Sequence, residues 1–172
     1  MNNPTTLPTG TWQLDTDATA ITVSVKKLGL ITVPATLTVT SGTIEIDDRH
    51  QVSNIEIVAD ASSYVSKNAK RDEHVHGADF LDVSQHPAIL FHAATVADKA
   101  GGYRATGTIT IKGQPSPMDV AITDVTVDGE RGSFTATATV DRKAVGVDKM
   151  PTFIIGRDVE LFVSASATKS AV

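Results

Sequence analysis

The chain has 172 residues, a formal net charge of −5 and no cysteine. That length suits one domain with a self-sufficient core, and the missing thiols exclude a disulfide framework, a Cys-based zinc site and a cysteine nucleophile. The acidic balance argues against sequence-independent binding to nucleic acid, and no apolar run approaches the ~20 residues of a membrane-spanning helix.

Residues 1–9 are polar and rich in Pro and Thr, which predicts a loosely held arm ahead of a single domain over 10–168. The first residues lack the basic and apolar regions of an export signal, so the chain as written reads as cytoplasmic. A processed periplasmic or secreted form would read the same way. Order is expected from Trp12-Gln13-Leu14-Asp15. Ile21, Val23 and Val25 then alternate with Thr22, Ser24 and Lys26, the period of a strand with one apolar face. Leu37 and Val39, then Ile44 and Ile46, continue the pattern, with a break or bulge expected at Ser41-Gly42. Asp47-Asp48-Arg49-His50 reads as a turn, and Ile55 and Ile57 lie on a strand reaching about Ala61.

The stretch Ser62–His92 interrupts this alternation, gathers four of the five histidines, and predicts a surface helix of about three turns over about 67–78. Ser66 or Asn68 would cap its start, Gly77 would supply the left-handed residue past its end, and Phe80, Leu81 and Val83 would anchor it. His74 and His76 point to nearly opposite sides of a helix. His76 and Asp79 share a face that His86 or His92 could approach, but no metal-binding spacing is met, so neither metal nor cofactor is expected. Ser62, Ser63 and Ser66 lack a nucleophile elbow, and the adjacent Asp72 and Glu73 diverge. A solvated face with a local Asp72–His76 pair, and a basic edge of Lys67, Lys70 and Arg71, is the simpler expectation.

Beyond the island, Ala88–Ala97 and Tyr103–Lys112 flank a glycine hairpin at 98–102. Pro115 and Pro117 exclude Gln114–Pro117 from a central strand. Val120, Ile122, Val125 and Val127 lead into the 128–132 turn, and Phe134, Ala136, Ala138 and Val140 return from it. Residues 141–156 read as a long connection, and Val159, Leu161, Val163 and Ala165 as the last strand. Eight or more strands joined by short turns predict an all-β antiparallel sheet that closes into a barrel or splits into a sandwich. With only 5% aromatics, the inward set is largely aliphatic, which suits a lumen left open for an apolar ligand or an ordinary sandwich core.

Several segments, in order, resemble the YceI-like family. Lys70-Arg71-Asp72-Glu73-His74, Ala78–Val83 and His86-Pro87-Ala88-Ile89-Leu90-Phe91 look like its RDxHL…FFDV…(Y/F)PxIxF segment. Trp12-Gln13-Leu14-Asp15, Gly42-Thr43-Ile44, Gly107–Gly113, and Asp141-Arg142-Lys143 with Val145-Gly146-Val147 resemble its other motifs. The resemblance implies an extended, lipocalin-like antiparallel β-barrel of about eight strands with one helical insertion, and a lumen that binds long isoprenoids or similar amphiphilic lipids. Many members are exported and dimers are common, so a homodimer is expected here. The chain departs from the family at Val23, Lys27, Ala35-Thr36-Leu37 and Val145, where aromatic, His or Gly residues are usual, and this would widen or reshape the lumen.

These observations point to noncatalytic binding, transport or sequestration of an elongated, isoprenoid-like lipid. The expected lumen lining is Val23, Val25, Leu37, Val39, Ile89, Phe91, Ile109, Ile111, Ile122, Leu161 and Val163. Lys27, Arg71, His74 and Arg142 are the candidates for contacting a polar head. The alternatives are an enzyme on a hydrophobic substrate that uses His74 and Asp72 as acid–base groups, and a protein-interaction module with a filled core.

Overall fold

The structure, a computed structural model, describes residues 6–150 and 155–170. Strands β1 (Gly10–Leu14), β2 (Ala20–Lys27), β3 (Ile31–Ile46) and β4 (Val52–Val65) precede one helix, α1 (Ala69–His76). Strands β5 (Ala88–Lys99), β6 (Gly102–Ile111), β7 (Gln114–Asp128), β8 (Arg131–Asp141) and β9 (Ile155–Lys169) follow it. All pairings are antiparallel. The order β3-β2-β9-β8-β7-β6-β5-β4 returns to β3 through the β3–β4 pairing, so the sheet closes on itself. A barrel, not a sandwich, is therefore the outcome, and closure removes the exposed edges that an open sheet would carry.

Nine strands fill eight positions in this ring. Ile21 on β2 pairs with Leu37 and Val163, whereas Trp12 on β1 pairs with Ile44 and Lys169. Both strands thus lie between β3 and β9, one beyond the other, and residues 15–19 interrupt what is otherwise one strand. The Asp15 N–H donates to the Ser166 carbonyl at 2.8 Å, and Thr19 Oγ1 accepts from the Ser166 N–H at 3.3 Å, so β9 holds the interruption in place.

The alternation in the sequence sets the inner face. Ile21, Val23, Val39, Ile55, Phe91, Ile109, Ile122 and Ala136 are buried in one continuous cluster. Several expectations need correction. Ser41-Gly42 does not break β3, which runs through with a register shift against β4 between Val39 and Ser41. Pro115 and Pro117 do sit in a strand. They pair with Thr110 and Thr108 of β6, but the β8 pairing begins only at Val120, so on that flank no N–H is called for. The helix is shorter than three turns. Asn68 caps it by accepting from the Arg71 N–H at 3.0 Å, and Gly77 is extended (φ −74°) where a left-handed residue was expected.

Residues 7–9 of the expected loose arm are tied down, while residues 1–5 lie outside the described residues. Leu7 is buried. The Pro8 carbonyl accepts from Trp12 Nε1 at 3.2 Å, and Thr9 Oγ1 donates to the Asp47 carbonyl at 2.9 Å. His50 Nδ1 lies 2.9 Å from the Leu7 carbonyl. Together with Trp12, Leu7 lines the end of the barrel remote from α1. Composition had suggested a loose arm because one buried apolar side chain among polar neighbours has no periodicity to announce it.

Gly107 marks a close strand approach within β6. A Cβ there would overlap the His92 carbonyl oxygen across the β5–β6 ladder, next to the register shift between Ala93 and Thr95. Gly107→Ala is expected to cost about 2 kcal/mol of stability in urea unfolding, with an unchanged urea slope.

Candidate ligand-binding cavity

The inner face of the ring encloses a cavity of about 720 Å³, within the range of ligand pockets. It is long. Its lining on β9 alone runs from Ile155 to Ala167, roughly 30 Å along the axis at the usual strand rise and barrel tilt. At one end it reaches Leu7 and Trp12. At the other it reaches Lys26, Lys27, Lys70, Arg71, His74 and Met150, near the β2–β3 turn, α1 and the 142–154 connection. The lining between them is almost entirely Ile, Val, Leu, Ala, Phe and Met. Underfilling has a plain cause: the inward positions carry many small side chains, Ala59, Ala105, Ala136, Ala138 and Ala167 among them.

Val23, Val25, Leu37, Ile89, Phe91, Ile109, Ile111, Ile122, Leu161 and Val163 all line the cavity, as do Lys27, Arg71, His74 and Arg142. Val39 alone among the expected residues does not; it is buried at 1% exposure within the surrounding packing. Val23, Leu37 and Val145, three positions where the chain departs from the family pattern, all face the lumen. The sequence reading missed Leu7, Trp12, Tyr64, Tyr103 and Met118. Trp12 carried a signal in its solitary place at the start of the first strand. Tyr64 had none, because it falls where the strand pattern gives way to the island.

All charged side chains of the lining belong to the mouth, and every one is cationic: Lys26, Lys27, Lys70, Arg71 and Arg142, with His74 beside them. Two of the four head-contact candidates are already engaged by the protein. Arg142 is 4% exposed and directs all five N–H groups to main-chain carbonyls. These belong to Gly156 (3.0 Å), Val147 (2.8 Å), Lys149 (3.1 Å), Met150 (2.9 Å) and Ile155 (2.9 Å). Burial lowers its pKa from the ordinary guanidinium value, but an arginine remains charged at neutral pH. It thus ties residues 147–150 to the start of β9, with no N–H left for a ligand.

Arg71 is half committed. Its Nε donates to Ser66 Oγ at 2.9 Å and its Nη2 to the Ser66 carbonyl at 3.0 Å. Asp72 takes the Ser66 N–H at 2.9 and 3.1 Å and also the Ser66 hydroxyl. Ser66, a buried residue just before the α1 cap, is therefore clasped from both sides, which pins the helix to the end of β4. His76 completes the attachment at 2.9 Å from the Tyr64 carbonyl, its ring edge-on to Tyr64 at 6.4 Å, in place of the expected Asp72–His76 pair. Phe80 and Leu81 join the core cluster as expected; Val83 is not part of it. Lys27 and His74 remain at the mouth. Among the described residues, no three His, Asp or Glu side chains gather as metal ligands.

The Ser66 hydroxyl is the main reason that the Asp72 carboxyl lies below the usual carboxylate range. A depressed folded value means that this contribution is full above the ordinary Asp range and is lost as pH falls through the depressed value. Amide-exchange protection over residues 66–76, relative to the intrinsic rate at each pH, should stay high near neutrality and fall only in acid. Ser66→Ala should raise the pH of that onset and cost about 1 kcal/mol. Arg142→Met should cost about 3 kcal/mol or more, because five carbonyls lose their donor at once, and should speed proteolysis within 142–155.

The profile of the YceI-like domain matches residues 12–167. A UPF0312 protein of Vibrio cholerae is 29% identical over 104 residues, covering 57% of this chain and 55% of that protein, so the chain spans about half its length. A UPF0312 protein of Pseudomonas aeruginosa is 25% identical over 134 residues, covering 74% of this chain and 70% of that protein. Among solved structures, Burkholderia cenocepacia BcnA superimposes with a TM-score of 0.78 at 21% identity, over 90% of this chain and 99% of that one. A polyisoprenoid binding domain from Saccharophagus degradans, implicated in plant cell wall breakdown, gives 0.68 at 12% identity, over 92% and 98%. Those two likenesses establish the shared barrel fold, and the domain match over nearly the whole chain places this protein in the YceI-like family.

Proposed function

We propose that the protein binds an elongated apolar or amphiphilic lipid, isoprenoid-like in character, in the barrel lumen, and that it carries or sequesters that lipid without transforming it. The observation that carries this reading is the cavity itself: an apolar tunnel running the length of the barrel, with charge confined to one end. Burying an apolar chain there contributes roughly 0.8 kcal/mol per CH₂, so affinity needs few polar contacts. Lys27 and His74 line the mouth, and in this reading they meet the polar end of the ligand. The polyisoprenoid binding domain of Saccharophagus degradans supports the ligand class by its likeness in fold. Replacement of family aromatics by Val23, Leu37 and Val145 on the lumen wall favours a ligand bulkier than the usual one or differently shaped.

The enzyme alternative is less well supported. Asp72 is turned to Ser66, and no carboxylate lines the cavity among the described residues, so His74 lacks the acidic partner that reading called for. A homodimer belongs to the same expectation, and light scattering of the purified protein reads it directly.

Ala136 lies midway along the tunnel wall, paired with Ile122 and Val163. Mass spectrometry of organic extracts should recover a long-chain lipid from gently purified wild type and much less from Ala136→Phe. An open lumen admits the larger ring with less than about 1 kcal/mol change in stability, whereas a filled core would lose about 1–3 kcal/mol to overpacking. No lipid from either protein, with no displacement of a fluorescent apolar probe, would sink the carrier reading.

A further inference from the structure

Most large hydrophobic side chains that remain exposed among the described residues crowd the mouth end. Leu28 (54%), Leu30 (89%) and Ile31 (54%) form the tip of the β2–β3 hairpin, and Val65 and Met150 lie at the same end of the barrel. None of the three tip residues lines the cavity, so ligand binding does not account for them.

The tip is also locally strained. Leu30 N–H donates to the Lys27 carbonyl at 3.3 Å across a two-residue turn, with φ of 55° at Leu28 and 71° at Gly29. Two positive φ values in such a turn favour Asn-Gly or Asp-Gly, and a leucine at the first position is unfavourable. Exposed as it is, Leu28 recovers little of that cost by packing within its own chain. A strained, solvent-facing leucine is the kind of outlier from which a functional role is inferred.

Charge follows the same geography. Lys26 and Lys27 flank the tip, and Lys67, Lys70, Lys112 and Lys149 lie on the neighbouring connections. Over residues 26–31, 66–87, 112–113 and 142–150 together, nine Lys and Arg stand against five Asp and Glu (Asp72, Glu73, Asp79, Asp82 and Asp148), although the whole chain is −5. At the opposite end the turns and the strand ends beside them carry Asp15, Asp17, Asp47, Asp48, Asp98, Asp128 and Glu130 against Arg49, Lys99, Arg131 and Lys169. The molecule is thus polarised along the barrel axis, and an anionic surface would orient it with the mouth inward.

We propose that the mouth end is a docking surface for an anionic lipid bilayer, with the Leu28–Ile31 tip entering the interface and the surrounding lysines meeting the headgroups. Apolar side chains ringed by lysines on one protruding loop suit such an interface, where each part strengthens the other. The polarity also brings the lumen opening against the layer that would supply or receive a lipid. The surface stands independently of the lumen reading.

Co-sedimentation with vesicles of equimolar phosphatidylglycerol and phosphatidylcholine, against phosphatidylcholine alone, tests it. The wild type should partition at least about tenfold more strongly to the anionic vesicles, and added salt should weaken this. Leu30→Asn should lower binding to them about tenfold. The same variant should keep wild-type melting and wild-type affinity for a fluorescent apolar probe, because Leu30 touches neither core nor lumen. Leu28→Asn should bind weakly too while melting at the same or a higher temperature, since Asn tolerates the left-handed turn. Equal partitioning to both vesicle types, wild-type binding by Leu30→Asn, or loss of a dimer in place of loss of vesicle binding would each overturn the proposal. Vesicle binding without any probe binding would support the docking surface and count against the lumen reading.

Discussion

Ring closure with an underfilled interior is the constraint on which the rest of the structure depends. Eight positions close because β1 takes over from β2 between β3 and β9, and no edge is left to pair with another chain. A closed ring fixes the internal width, so the choice of inward side chains decides whether that space is filled. Here valines and isoleucines dominate the wall, with alanines among them and few aromatics, and a tunnel remains. The stability of the fold must therefore come largely from the ladders and the wall itself, with a ligand adding to it by mass action.

Holding such a tunnel open at one end requires the mouth to be built from something other than core packing. Two polar knots serve there. Arg142 gathers the carbonyls of Val147, Lys149 and Met150, which lie outside any strand, together with those of Ile155 and Gly156 at the start of β9. Ser66 is held by both Arg71 and Asp72 and so fixes α1, which buries none of its own residues, to the end of β4. The opposite end is lined by the buried apolar side chains of Leu7 and Trp12. The two ends thus differ in chemistry, one framed by polar contacts and the other by apolar packing.

Much of this was legible in the sequence, for a simple reason. Period-two alternation states which side chains face inward, and in a closed barrel inward means lumen, so Val23, Ile109, Ile122 and Leu161 could be placed by parity. Val39 obeyed the parity yet packs into the wall, because alternation gives the face of a residue and not its height or the size of its neighbours. The polar residues were harder to place. Arg71, Asp72 and Arg142 stood out as conspicuous charges, but whether a guanidinium meets a ligand or its own backbone depends on the path of a connection that has no periodicity. The prolines of β7 misled for a related reason: a strand in a staggered barrel has ends flanked on one side only, and sequence does not show where the neighbour stops.

The lone tryptophan offers a direct view of the central claim. Trp12 lines one end of the tunnel, and the cations stand at the other. Quenching of its fluorescence by fatty acids brominated either at the chain terminus or beside the carboxylate would report both entry and direction. The account predicts strong quenching by the terminally brominated chain and little by the other. Absence of quenching by either, at concentrations where the chain displaces an apolar probe, or stronger quenching by the bromine beside the carboxylate, would contradict a lumen entered tail first from the basic mouth.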